Sequence, residues 1–283
     1  MRLLGVLAAT FVLTFTVTNS AAASVLDAIV VAHRGASIPG VIPEGTPKAY
    51  SYAVYHGADW LDSDVRWTKD SNDADTVGTM VLLHNRRFDD LYNCTTSRAK
   101  PWYVDQWLWS DIYNRCRTKI ANQRMWRLVD LLPYAKGYGK KINVEIKPSS
   151  ITWDQARQLY AAIRNYDVRV VAFHPAAEVA GSPINKIRSL DFADTAHRLQ
   201  YGLISHGYPT WPSVTQVKTF GNTVDVRLDI PSSVAKLYRD NGIRLNVWTL
   251  KTETDYAKAA KLLPYAVTVD DPARWNRWVE SQT

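Results

Sequence analysis

Nine short apolar runs punctuate the chain: Ile29 to Ala32, Trp60 to Trp67, Met80 to Leu83, Ile142 to Ile146, Val168 to Phe173, Tyr201 to Ile204, Val224 to Leu228, Leu245 to Leu250 and Ala266 to Val269. All have strand length. Apolar residues recur at helical spacing between most of them, over Pro47 to Tyr55, Arg127 to Ala135, Trp153 to Asn165, Ser232 to Asp240 and Glu253 to Leu263. Strand alternating with helix predicts a parallel sheet of the α/β class. Roughly 250 residues is the usual size of a TIM-type (β/α)8 barrel, the fold expected here. Nine runs are one too many for eight barrel positions. The link from Lys69 to Thr79 is polar and shows no clear helical period. Either Met80 to Leu83 follows its predecessor without a helix, or another run lies outside the barrel.

Alternation within the runs separates two faces, because side chains two apart in a strand point the same way. Leu61, Val65 and Trp67 oppose Asp62, Asp64 and Arg66; Ile142, Val144 and Ile146 oppose Asn143, Glu145 and Lys147; Val224, Val226 and Leu228 oppose Asp225, Arg227 and Asp229. In a barrel the apolar set packs on the helices and the polar set points inward. Inward acids are costly unless positive charge meets them, and the C-terminal ends of barrel strands are where active sites are built.

The N-terminus adds a location. Arg2, an apolar run from Leu3 to Val17 and the small residues Ser20-Ala21-Ala22-Ala23-Ser24 read as a secretory signal peptide, residues 1–23, cleaved after Ala23. A membrane anchor would need a longer apolar run. The expected product is a secreted single domain, 24–283, with no repeat or Pro/Gly-rich linker. In an exported chain, Cys94 and Cys116 are most simply one disulfide; two buried free thiols are the alternative. Closing that loop of 22 residues would stabilise the fold by roughly 3 kcal/mol. The formal charge of +7 favours anionic partners, but the basic residues are scattered, which argues against nucleic acid.

His33-Arg34-Gly35 follows the first strand and His84-Asn85 follows the run Met80 to Leu83, so two histidines sit at strand ends. His56, His174, His197 and His206 lack such company and are set aside, His174 least firmly. Asp62, Asp64 and Glu145, with Glu44 as a possible fourth, form an all-oxygen set suited to Ca²⁺ or Mg²⁺.

Taken in order, these residues resemble the glycerophosphodiester phosphodiesterase family. The matching elements are His33-Arg34-Gly35, Pro43-Glu44-Gly45-Thr46, Gly57-Ala58-Asp59, Asp62-Ser63-Asp64-Val65, His84-Asn85, Glu145-Ile146-Lys147, Trp248-Thr249 and Val269-Asp270-Asp271-Pro272. The chain departs from the family pattern at Gly45, in place of Asn; at Asp62, in place of Glu; and at Asn85, in place of Asp. The stretch 88–125, which holds both cysteines and Trp102, Trp107 and Trp109, matches poorly and corresponds to an insertion over the active-site mouth.

The resemblance implies an acid–base pair, His33 and His84, and a divalent metal, Ca²⁺ or Mg²⁺, held by Asp62, Asp64, Glu145 and Glu44. It implies phosphate contacts from Arg34 and Lys147 and an apolar wall from Trp248. The implied activity is hydrolysis of glycerophosphodiesters to glycerol phosphate and an alcohol. One rival is a phospholipase D-type action on intact phospholipid, in which the tryptophans between Trp102 and Trp126 touch a membrane surface peripherally. Another is a non-catalytic module that binds anionic wall polymers.

Overall fold

The computed structural model describes residues 27–69, 77–196, 199–207 and 210–283. The stretch read as a signal peptide, His197 and most of the polar link after Lys69 lie outside these residues. Eight parallel strands close into a barrel: β1 (Ile29–Ala32), β2 (Trp60–Trp67), β6 (Lys141–Ile146), β7 (Val168–Phe173), β8 (Gln200–Ser205), β9 (Thr223–Arg227), β10 (Arg244–Leu250) and β11 (Ala266–Val269). Closure comes from β1, which pairs with β11 on one side and β2 on the other. The fold is therefore the expected TIM-type barrel.

The surplus ninth run is β3 (Met80–Leu82). It pairs antiparallel with the upper end of β2, where Val65 meets Leu82 and Trp67 meets Met80. It thus follows its predecessor without a helix and stands outside the parallel ring. Its chain returns toward the mouth, which delivers His84 beside β2; the Leu83 amide bonds to the Asp64 carbonyl.

The helices ring the barrel: α1 (Pro47–Tyr55), α3 (Leu128–Gly137), α4 (Trp153–Ile163), α5 (Pro183–Ala193), α6 (Val214–Phe220), α7 (Ser232–Asp240), α8 (Glu253–Ala260) and α9 (Pro272–Glu280). Local sequence starts many of them. Thr152 with Gln155, Ser213 with Gln216 and Thr252 with Asp255 form reciprocal caps, satisfying amides that an open helix end leaves unpaired. Pro47, Pro183 and Pro272 occupy first-turn positions, where the missing N–H costs nothing. Periodicity alone did not reveal α5, α6 or α9.

The main core lies between strands and helices. Leu61, Val65, Trp67, Ile142, Val144, Ile146, Val224 and Val226 all belong to it, as their alternation predicted. Inside the barrel the lower end is plugged by Val31, Trp60 and Ala266. Above Trp60 lies a polar layer in which buried Arg169 donates to Asn143 at 2.9 Å and to Asp225 at 2.7 Å.

The insertion carries its own small core. Strands β4 (Tyr92–Cys94) and β5 (Cys116–Thr118) pair antiparallel and are joined by the Cys94–Cys116 disulfide, with α2 (Trp109–Arg115) preceding β5. β3 is shared between the two cores: Met80 and Leu82 face the barrel core, Val81 and Leu83 face the insertion. Trp102 and Trp107 are 5% and 3% exposed and pack on Phe88, with ring centroids 5.8 and 5.5 Å apart. They fill the insertion's interior, so these two do not supply the exposed aromatics that the rival phospholipid reading called for.

Candidate active site

The C-terminal ends of the barrel strands surround a cavity of about 340 Å³. His33, Arg34, Asp62, Asp64, His84, Glu145, Lys147 and Trp248 all line it. Sequence positions more than 200 residues apart thus converge because most lie on or directly after strands of one closed ring, and β3 brings His84 back to it.

His33 sits in a tight turn after β1. Arg34 (φ 51°) and Gly35 (φ 76°) adopt left-handed backbone. A Cβ on Gly35 would lie 2.7 Å from the Tyr50 ring, so only glycine lets the turn seat against α1. Nδ1 of His33 lies 2.6 Å from Asp270 Oδ1. Asp270 therefore fixes the ring and its tautomer, leaving Nε2 for chemistry. The sequence reading gave Asp270 no role, although it follows β11 as His33 follows β1.

His84 has a different setting. It ends an antiparallel strand, so the two histidines do not occupy equivalent strand ends as the sequence suggested. Its backbone amide donates to Glu44 Oε1 at 3.0 Å, and Arg66 donates to its carbonyl at 2.9 and 2.7 Å. Nδ1 lies 2.8 Å from Asn85 Oδ1, an arrangement that places the proton on Nδ1 and frees Nε2 as an acceptor. Burial, reinforced by Lys147 and Arg34, holds the His84 pKa below the ordinary histidine value despite Asp64. Asn85 is thus a neutral hydrogen-bond partner where the family pattern has a carboxylate.

Glu44 does not line the cavity. One of its oxygens accepts from Arg34 at 2.6 Å and the other from the His84 amide. Both oxygens are engaged in joining the two histidine-bearing segments, which sets Glu44 apart from Asp62, Asp64 and Glu145. The neighbouring departure from the family pattern also has a cause. Gly45 has φ 63°, and a Cβ there would lie 2.3 Å from the Leu82 carbonyl oxygen. The backbone of β3 closes onto this position and excludes any side chain.

Asp62, Asp64 and Glu145 face the cavity together, with too little positive charge between them. Lys147 Nζ lies 2.5 Å from Glu145 and 3.7 Å from Asp64, and Arg34 Nε lies 3.3 Å from Asp64. Burial and repulsion by Asp64 push Asp62 up to about 6 and Glu145 up to about 8. Asp64 Oδ2 is buried and, beyond its ion pair with Arg34, accepts no hydrogen bond. Among the described residues, no three acidic, histidine or cysteine side chains already share one ion-sized space, and the Lys147 ammonium contacts both Glu145 and Asp64. The donors nonetheless fit a hard divalent cation: all are carboxylate oxygens, they line one cavity, and two resist ionisation without added positive charge.

The opposite wall is apolar and aromatic. Phe173 and His206 stack with centroids 4.6 Å apart, and Trp248 meets His206 edge-on at 5.1 Å. Trp248 is thus where the sequence reading put it. His206, set aside there, completes the wall; its signal was its place directly after β8. His174 is buried and does not line the cavity.

The sequence profile of the glycerophosphoryl diester phosphodiesterase family matches residues 33–274. The chain belongs to this family. A glycerophosphodiester phosphodiesterase of Caldanaerobacter subterraneus subsp. tengcongensis is 23% identical over 252 residues, covering 87% of this chain and 96% of that protein. The crystal structure of a glycerophosphoryl diester phosphodiesterase homologue from Silicibacter pomeroyi superposes with TM-score 0.73 at 18% identity, covering 90% of this chain and 94% of the other. An Oleispira antarctica phosphodiesterase, solved with its product sn-glycerol-3-phosphate, gives TM-score 0.68 at 15% identity, over 89% and 96% of the two chains. As a member of the glycerophosphoryl diester phosphodiesterase family, the protein is a phosphoric diester hydrolase.

Proposed function

We propose that the protein hydrolyses glycerophosphodiesters to glycerol phosphate and an alcohol by histidine acid–base catalysis at this mouth. The observation that carries the reading is that His33 and His84 line one cavity with Asp62, Asp64 and Glu145. His84, held below its ordinary pKa with Nε2 free, takes the proton from the attacking oxygen, whether of water or of a substrate hydroxyl. His33, oriented by Asp270, gives a proton to the departing alkoxide oxygen. One phosphorus–oxygen bond forms and one breaks, and the proton lost on one side is matched on the other. Asp62, Asp64 and Glu145 are the residues that would hold Ca²⁺ or Mg²⁺, which when bound supplies Lewis-acid neutralisation of phosphoryl charge. Arg34 and Lys147 then turn from carboxylates toward phosphate oxygens, and Trp248, Phe173 and His206 form the wall for the substrate's carbon skeleton. The product seen in the Oleispira antarctica relative supports glycerol phosphate as the shared half of the substrate.

The test is choline release from glycerophosphocholine by native protein with Mg²⁺ or Ca²⁺. Turnover abolished by His33→Ala and by His84→Ala is expected; turnover indifferent to both substitutions sinks the assignment. Phosphatidylcholine is expected to be the poorer substrate, since the buried Trp102 and Trp107 are not available to a lipid surface. Absence of any turnover would favour the non-catalytic wall-polymer reading.

We propose further that residues 1–23 direct secretion and are removed. Mature protein in the culture medium beginning at Ser24 is the expected result; retention in the cell with Met1 intact would refute it.

A further inference from the structure

Beside the catalytic cavity lies a second, larger groove of about 820 Å³, bounded by the upper end of β2, the turn after β6 and the segment Val104–Gln106 of the insertion. The two share Lys147 as a common wall. Their charges are opposite in sense. Among the described lining residues, the catalytic cavity sets Asp62, Asp64 and Glu145 against Arg34 and Lys147, Asp225 being paired with Arg169. The groove sets Arg66, Lys69, Arg86 and Lys147 against Asp105 alone. Asp105 is already bound in two-pronged fashion by Arg86, at 3.0 and 2.8 Å. The hydroxyls of Ser149 and Ser150 add uncharged donors to the lining.

We infer that this groove is a second anion subsite, which holds a further phosphate or comparable anionic group of a substrate whose scissile phosphate sits in the catalytic cavity. The inference rests on the phosphodiesterase reading of that cavity. A cleft lined by one sign of charge concentrates ligands of the other sign, and here that field lies beside the acid-rich cavity rather than inside it. Three hundred to a thousand cubic ångströms is about the size of a typical ligand pocket, so the groove has room for a substrate unit of its own. The preferred substrate is then a diester with more than one anionic centre, such as a short chain of phosphate-linked glycerols. A diester ending in a neutral or cationic head group would leave the groove unused. The insertion contributes Asp105 and through it holds Arg86, so it sets substrate choice.

The experiment compares two probes on full-length mature protein at low ionic strength: glycerophosphocholine, with one phosphate, and a synthetic glycerol phosphate trimer. The trimer is expected to show kcat/KM about tenfold higher, an advantage that salt erases. Lys69→Glu combined with Arg86→Glu is expected to raise the trimer KM about tenfold while kcat holds and glycerophosphocholine stays within about twofold. Asp105→Asn, of opposite sign, is expected to lower the trimer KM. Circular dichroism and Tm identify any variant that fails to fold, in which case the Asp105→Asn result decides. Turnover of both probes with equal effects of these substitutions on each, or none on the trimer, overturns the groove alone. Absence of turnover of either probe by the native protein removes the parent reading, and the subsite with it.

Discussion

Two polar layers are stacked inside this barrel, and they solve the problem of buried charge in opposite ways. In the lower layer, Arg169 and Asp225 pair one to one at 2.7 Å, with Asn143 taking a second guanidinium hydrogen bond. In the upper layer, Asp62, Asp64 and Glu145 share Lys147 and Arg34, and Arg34 is already committed to Glu44. The lower layer pairs each charge with one partner, although burial raises Asp225 as well. The upper layer keeps an excess of negative charge, and burial together with repulsion by Asp64 raises Asp62 and Glu145. The lower pair is balanced one to one; the upper layer, with three carboxylates on two shared cations, is not.

The sharpest way to break this comparison is to remove the chemistry while sparing the fold. His84→Ala and His33→Ala are each expected to lower kcat by about 10²- to 10⁴-fold with little change in Tm, measured on glycerophosphocholine. In the lower layer the order reverses. Arg169→Met strands Asp225 and is expected to destabilise the protein by about 3–5 kcal/mol, read by urea unfolding. If Arg169→Met were neutral for stability, the claim of a balanced structural pair would be wrong.

Next in size is the effect of pH with metal. Asp62 and Glu145 are raised above their ordinary values of 3.8 and 4.5, so the native state holds protons that the unfolded chain has released. The sign follows: metal-free stability is greatest below about pH 4 as far as these groups contribute, and declines as pH rises through about 6 and about 8. Added Mg²⁺ or Ca²⁺ competes with those protons. The metal-induced rise in Tm is therefore expected to be larger at pH 8.5 than at pH 5.5, by differential scanning calorimetry. A metal effect equal at both pH values would detach the carboxylates from the ion. Asp64→Asn removes the repelling charge while leaving Arg34 with Glu44 and Lys147 with Glu145. It is expected to abolish turnover yet raise the metal-free Tm by roughly 2–4 °C at pH 8.

The smallest expected effect distinguishes the two histidines. Asn85→Asp places a carboxylate beside His84 and favours its protonated ring. The acid limb of the kcat/KM profile should then move to higher pH, with the plateau nearly unchanged. An unmoved limb would mean that another group, not His84, accepts the proton.

Much of this was legible before the fold was seen. Alternation in Trp60 to Trp67 and in Ile142 to Lys147 separated the helix-facing residues from the cavity-facing ones, because a strand's period of two leaves no other choice once one face must be buried. The local starts of α1 and α7 coincide with the residues predicted, Pro47 and Ser232. The roles of Asp270 and His206 were not legible: each is one polar residue after a strand, and only barrel closure brings them to His33 and Trp248.

The sequence by itself therefore determined the α/β class, the inward acids and the two histidines, since these depend on periodicity and chemistry along the chain. The tertiary structure decided the rest: that β3 runs antiparallel, that Glu44 joins two segments instead of facing the cavity, and that Trp102 and Trp107 are interior. Those facts depend on which surfaces meet across long sequence separations. Residue spacing carries no record of that until the ring closes and each polar atom finds its neighbour.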